Sequence, residues 1–163
     1  MNNQEKTTVY ISSKIGGLEI QEDGGKIIKI SLNFAVQEYS DIANIKSQNL
    51  SLCVKEIQAY LDGKLKHFSF AIKITGTEFE QKVYRELQTI SYGKTANYGE
   101  IAEIIGNKNA SRAVGRANSK NPLLLVVPCH RIVGKNSIGG FSQQGVQLLN
   151  IKRYLLELES SKI

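Results

Sequence analysis

The sequence predicts an α/β N-terminal lobe, a small antiparallel sheet plus one helix, followed by a mainly α C-terminal lobe containing a helix-turn-helix. Three observations carry this. Two β-rich runs, VYISSKIGGLEI and KIIKISLNF, flank Asp23-Gly24-Gly25, a turn signal between strand formers and hence a hairpin. Around Ile74-Thr75-Gly76 the pattern changes from strand-rich to helix-rich, which sets an N-terminal domain at 1–75 and a C-terminal domain at 76–163. Two short helical segments then stand on either side of Gly106-Asn107-Lys108-Asn109, the outline of a helix-turn-helix. A chain of 163 residues suffices for one core or for two small lobes.

Each element has its own signal. Leu50, Cys53, Val54, Ile57 and Leu61 recur at helical spacing, and Gly63 is the stop. HFSFAI, residues 67–72, alternates like a short strand. Thr77 with Glu80 three residues on is a capping box. Phe79, Val83, Leu87 and Ile90 form the buried stripe of the helix it opens, with Gly93 just past the end. Ile101, Ile104 and Ile105 define a short helix stopped by Gly106, and ASRAVGRANSK follows with Asn109 as its N-cap. The run Leu123–Val127 reads as a buried strand ended by Pro128. A last helix, Val146 to Glu159, carries Leu148, Ile151, Leu155 and Leu158 as its buried stripe.

Charge is unevenly placed. The net charge is +6. Residues 1–73 hold nine Lys/Arg against eight Asp/Glu, whereas residues 74–163 hold twelve against seven. Residues 94–135 contain seven basic side chains and two acidic ones, the electrostatic footprint of a phosphate-backbone binder. In the second short helix Ala110, Ala113, Gly115 and Ala117 are small, and Arg112 and Arg116 share a face. Such a helix either approaches a polyanion closely or packs tightly within its own protein. No apolar stretch approaches the roughly 20 residues that span a bilayer, and the first residues lack a signal-peptide layout. The expected compartment is therefore reducing, the cytoplasm (the nucleus in a eukaryote), where two cysteines stay free.

Cys129 is the residue that demands a chemical account. PCHR, residues 128–131, sets one of two cysteines beside one of two histidines. A thiol is a nucleophile only as thiolate, so its pKa of about 8.5 must be lowered by a base or a positive charge; His130 and Arg131 are the local candidates. Two plainer readings stand beside this one: a small buried hydrophobe or a metal ligand. Zinc needs four ligands, and Cys53 and His67 lack ligand spacing, so no metal is expected.

SYGKTANYGEIAEIIGN, ASRAVGRANSKNPLLLVVPCHRIV and KRYLLELE resemble the O6-alkylguanine-DNA alkyltransferase family, also called methylated-DNA–protein-cysteine methyltransferases. The likeness runs through Glu78 to Glu159, and the N-terminal lobe fits in outline the family's RNase-H-like domain. It implies direct-reversal DNA repair: single-turnover transfer of an alkyl group from O6 of guanine, or O4 of thymine, to Cys129 after base flipping, with no cofactor. By resemblance His130 removes the thiol proton through a water, Glu159 orients His130, and Asn121 is a hinge before the reactive loop. Tyr98 bonds guanine N3, and Ser142 and the Ile132 backbone hold the flipped base. Arg112 enters the minor groove as a finger, with Ala110, Ser111, Gly115, Arg116, Gly99 and Lys135 in the DNA-binding surface. The implied partner is duplex DNA, met by a monomer with cooperative assembly on DNA left open.

The chain departs from the family's pattern in three places. Gln143-Gln144 and several extra residues stand where the family has Gly-Gly, Tyr84 replaces a tryptophan, and the zinc-site residues of some relatives are absent. Two rival functions remain, a thiol hydrolase using Cys129 and His130, and a damage-sensing helix-turn-helix without chemistry.

Overall fold

The computed structural model describes residues 6–143 and 145–160. The chain forms two compact units, Met1–Ile74 and Thr75–Ile163.

In the first unit, β1 (Thr7–Ile11), β2 (Leu18–Asp23) and β3 (Lys26–Leu32) form an antiparallel meander. The first β-rich run thus holds two strands, because Ser13 and Gly16 exchange backbone hydrogen bonds at 3.1 Å and fold it back on itself. Gly24 and Gly25 close the second hairpin at φ 59° and 72°, the paired left-handed geometry that matches strand twist and that glycine adopts without penalty. Val9, Ile20 and Ile30 lie opposite one another across the sheet and are buried. Helix α1 (Gln48–Leu61) is capped by Ser47 Oγ, which accepts from the Leu50 N–H. The unit's core takes in Leu50, Cys53, Val54 and Ile57 of α1. The strand expected over 67–72 is a single bridge, Ile27 to Ile72. Side chains of α1 take its backbone groups instead, Glu56 accepting from Ser69 N–H and Asn49 from Ala71 N–H.

In the second unit, Thr77 and Glu80 make the expected capping box at the start of α2 (Glu78–Leu87). Its buried face is Val83, Tyr84 and Leu87; Ile90 lies past its end. Then come β4 (Ala96–Asn97), α3 (Tyr98–Ile104) and α4 (Ser111–Ser119), the helix-turn-helix pair. Asn97 caps α3 in a second capping box, with Glu100. Ile104 is 61% exposed, so the inner face of α3 is Ile101 with Ala102. Asn109 does not cap α4; Ala110 holds that position without a side-chain bond, because its own carbonyl accepts the first helical hydrogen bond, from the Val114 N–H at 2.8 Å.

The Leu123–Val127 run is not a strand. It is a buried sequence of turns, in which Leu125 takes φ 72°, the only positive φ among described non-glycine residues. A single 3₁₀ turn, Cys129–Arg131, follows, then β5 (Ile132–Val133), which pairs in parallel with β4. The hairpin of β6 (Ser142–Gln143) and β7 (Val146–Gln147) precedes α5 (Leu149–Ser160). The last helix therefore starts later than expected, and Val146 is exposed in the hairpin. Gln144, part of the departure noted above, lies outside the described residues. Among the described residues no helix is long and apolar enough to cross a membrane.

Candidate active site

Cys129 owes its position to the turns before it. Asn121 Nδ2 donates to Val127 O at 2.7 Å, and Asn121 Oδ1 accepts from the Leu123 N–H at 2.9 Å. One buried side chain so closes the turn that strand propensity alone opposes, since a polar side chain can take the backbone's hydrogen bonds away from a ladder. Pro128, at φ −80° and ψ 64°, sits in an inverse γ-turn closed by Cys129 N–H to Val127 O at 2.8 Å. The chain therefore arrives at Cys129 bent, and Cys129, His130 and Arg131 leave on one tight turn.

Cys129 is 4% exposed, and its sulfur accepts from Asn121 Nδ2 at 3.2 Å. Burial pushes the thiol up; the Asn121 amide, the Lys152 charge and backbone N–H groups pull it back without reversing the direction. The resting group is a protonated thiol. Around it, a cavity of about 230 Å³ is walled by Tyr98, Gly115 and Asn118 on the helix-turn-helix and by Gly140, Phe141 and Ser142 on the loop into β6.

Behind the thiol stands a buried polar cluster. His130 Nε2 lies 2.8 Å from Glu159 Oε1. With Nε2–H given to the carboxylate, Nδ1 is the basic nitrogen of the ring. Burial pulls the His130 pKa down more than Glu159 raises it, and Arg131 and Lys152 lower it further, so the imidazole is neutral near pH 7. Glu159, 1% exposed, also accepts from Arg131 Nε and Nη2 at 2.9–3.2 Å and from the Gly93 N–H at 3.1 Å. Arg131 Nη1 in turn donates to Ile90 O, and its guanidinium stands over Tyr92. A carboxylate with this many donors holds its charge in the interior because every lone pair direction is answered.

Several predicted residues come together here: Cys129, Tyr98 and Ser142 line the cavity, Asn121 touches the sulfur, and His130 meets Glu159. Ile132 does not line it; its carbonyl accepts from Lys152 Nζ at 2.5 Å. Arg112, Arg116 and Lys135 are exposed. Ala110 is buried, and so is Ala117, so these two small residues serve the packing of α4 itself. Gly115 faces the Tyr98 ring, with 3.7 Å left to a side-chain carbon placed there, and Gly99 packs on the Asn97 cap beside Ser111.

Three residues escaped sequence reasoning. Lys152, fully buried, bridges Ile132 O and Gly140 O (2.9 Å) and so ties the strand after the cysteine to the cavity wall. Burial lowers its pKa to about 8. Gly139 has φ 72°, and a Cβ there would stand 2.9 Å from Gly134 N and 3.2 Å from the Tyr98 ring. Asn118 is the third. Lys152 and Glu159 had a readable signal, charged residues one and three turns on from Leu148 along an apolar face; the other two had none.

Known proteins resemble this chain over both units. The family model described as 6-O-methylguanine DNA methyltransferase, DNA binding domain, matches residues 78–161, and its ribonuclease-like domain matches residues 7–74. The methylated-DNA–protein-cysteine methyltransferase of Mycobacterium leprae is 37% identical over 155 residues, 94% of this chain and 92% of that protein. This chain belongs to the 6-O-methylguanine DNA methyltransferase family.

The family's two-domain fold is matched throughout. The crystal structure of Mycobacterium tuberculosis O6-methylguanine methyltransferase superposes with a TM-score of 0.82 at 34% identity, covering 98% of this chain and 95% of that one. OGT of the same organism in complex with DNA gives 0.80 at 36% identity, covering 95% and 93%. The N-terminal sheet with one helix and the helical C-terminal unit are thus a 6-O-methylguanine DNA methyltransferase fold, as the sequence predicted. Among the described residues no group of three or more His, Cys, Asp or Glu gathers in a way that holds a metal ion.

Proposed function

We infer that this chain is a methylated-DNA–protein-cysteine methyltransferase that repairs DNA by direct reversal, moving an alkyl group from O6 of guanine (or O4 of thymine) onto Cys129 once per molecule. The observation that carries this reading is a nucleophile-bearing turn opening on a base-sized cavity, with a neutral histidine held by a buried carboxylate on the same turn.

Guanine O6 lies inside the base stack, so the nucleotide must be extruded, at a cost of a few kcal/mol. The exposed Arg112 and Arg116 of α4, with Lys135, supply phosphate attraction. Arg112 enters from the minor groove and fills the vacated stack. The everted base occupies the cavity between Tyr98 and the loop into β6. His130 takes the Cys129 proton through a bridging water, and Asn121 Nδ2 and Lys152 stabilise the thiolate that forms. Sulfur attacks the alkyl carbon in line; the C–S bond forms as the C–O6 bond breaks, and the electron pair leaves on the purine. Tyr98 donates a proton to guanine N3, matching the proton taken from sulfur. Glu159 and Asn121 act by positioning, the first through His130 and the second through the turn. A thioether has no low-energy return to thiol, so the protein is consumed. Residues 76–163 hold all of this chemistry. We place the protein in the cytoplasm (the nucleus in a eukaryote) as a monomer, because a thiol that must stay free needs a reducing compartment.

The test is a count. Duplex DNA carrying methyl-labelled O6-methylguanine should transfer about one methyl per protein chain and then stop, with the label on Cys129 by peptide mass spectrometry. Continued turnover would favour a hydrolase-like reaction, and DNA binding without transfer a sensor.

A further inference from the structure

We propose that Asn118 is a specificity-determining residue that reads the exocyclic 2-amino group of the everted base; this rests on the alkyltransferase reading above. Asn118 lies in the last turn of α4 and lines the cavity with Cys129 and Tyr98. Its Oδ1 is shielded from solvent and has no hydrogen-bond partner. Buried acceptors without donors are rare in native proteins, and each one asks for a reason.

Of the other side chains on the cavity wall, Ser119, Tyr98 and Cys129 already have partners. The Ser119 hydroxyl donates to Arg116 O at 2.8 Å, and Tyr98 Oη donates to Gly140 O at 3.4 Å, while that same carbonyl accepts from Lys152. The Cys129 sulfur accepts from Asn121. An Asn χ2 is a soft torsion, so the Asn118 amide can swing its acceptor toward an occupant.

The chemistry of the substrate picks the group it would meet. Alkylation at O6 removes the N1 proton of guanine. N1, N3, N7 and O6 are then all acceptors, and the 2-amino group is the only donor left on the base edges. An acceptor in the wall is complementary to that group alone. It offers nothing to a base without it, because the acceptor would stay buried and unanswered.

The experiment compares single-turnover methyl transfer to Cys129 from duplexes containing O6-methylguanine or O6-methylhypoxanthine, which differ only in the 2-amino group. Wild type should react roughly ten-fold or more slowly with the amino-less base. Asn118→Ala and Asn118→Leu should bring the two rates close together, mainly by slowing the guanine reaction, with binding to undamaged duplex retained as the check on folding. Equal wild-type rates would overturn the assignment. So would variants that slow both substrates alike and keep the ratio, since that is what a purely structural asparagine would do. Absence of transfer from either base in the wild type would instead remove the alkyltransferase reading, and this inference with it.

Discussion

The two cysteines occupy contrasting interiors. Cys53 is fully buried on α1 between Leu50, Val54 and Ile57, and burial, aided by the charges of Glu56 and Glu22, pushes its thiol far up. Cys129 is nearly as buried and also pushed up, but Asn121, Lys152 and backbone N–H groups oppose the shift. The core of the first unit is almost wholly apolar, with Glu22 and Ser31 its polar exceptions, whereas the second buries Asn121, His130, Arg131, Lys152 and Glu159. Burial by itself makes a thiol inert. Burial within a satisfied polar cluster makes one that is protonated at rest yet has somewhere to send its proton.

That contrast can be broken most sharply at the two sulfurs. Cys129→Ser should abolish methyl transfer while leaving binding to duplex DNA, and Cys53→Ala should leave the count near one per chain; transfer that depends on Cys53 would refute the contrast. Next in size is the cluster itself. Glu159→Ala leaves His130 and Arg131 buried without their carboxylate, and breaking a buried pair in this way costs about 3–5 kcal/mol. Urea unfolding of the variant against wild type measures it. A loss under 1 kcal/mol would mean the cluster is not what holds the turn.

Gly139 offers a smaller test of the cavity wall. Gly139→Ala puts a side chain on a left-handed residue and against Gly134 N and Tyr98, for which about 1–3 kcal/mol is expected. Repair should slow more than stability falls, because Tyr98 is displaced; unfolding and single-turnover rates on one preparation separate the two.

The smallest effect lies in pH. Lys152 releases its proton near pH 8 in the folded protein and near 10.4 when unfolded. Between those values the unfolded chain binds the extra proton, so this group makes stability rise with pH. The cysteines and Tyr84, held protonated by the fold, contribute the opposite slope in both proteins compared. Wild type should therefore gain stability relative to Lys152→Met as pH rises from 8 to 10. A constant difference would show that Lys152 titrates normally. His130, with its pKa lowered, stays neutral down to below pH 6.5, and the transfer rate should begin to fall only under that value.

Local signals were the legible part of the chain. Asp23-Gly24-Gly25 made its hairpin, and Thr77 with Glu80 made its capping box, because each needs only atoms within a few residues. The misreadings share one cause. Leu123–Val127 has strand composition, yet Asn121 takes its hydrogen bonds; residues 67–72 alternate, yet Glu56 and Asn49 reach across to their backbone. In both, a side chain outside the run itself replaced the ladder, Asn121 from two residues before it and Glu56 and Asn49 from another element. At the site, the cysteine, its histidine and the arginines of α4 were visible as residue types, while Asn118 and Gly139 carried no mark, since an ordinary asparagine and an ordinary glycine become significant only beside a cavity.

By itself the sequence determined the second hairpin of the sheet, the capped start of α2, the place of the basic stretch and the candidate nucleophile, because these follow from composition, periodicity and short motifs. Tertiary structure alone decided which polar groups would share the interior with that nucleophile. Hydrogen bonds such as His130 to Glu159 and Lys152 to Gly140 join residues 29 and 12 apart, and their strength comes from the exclusion of water, a property of the packed unit that no local stretch of sequence possesses.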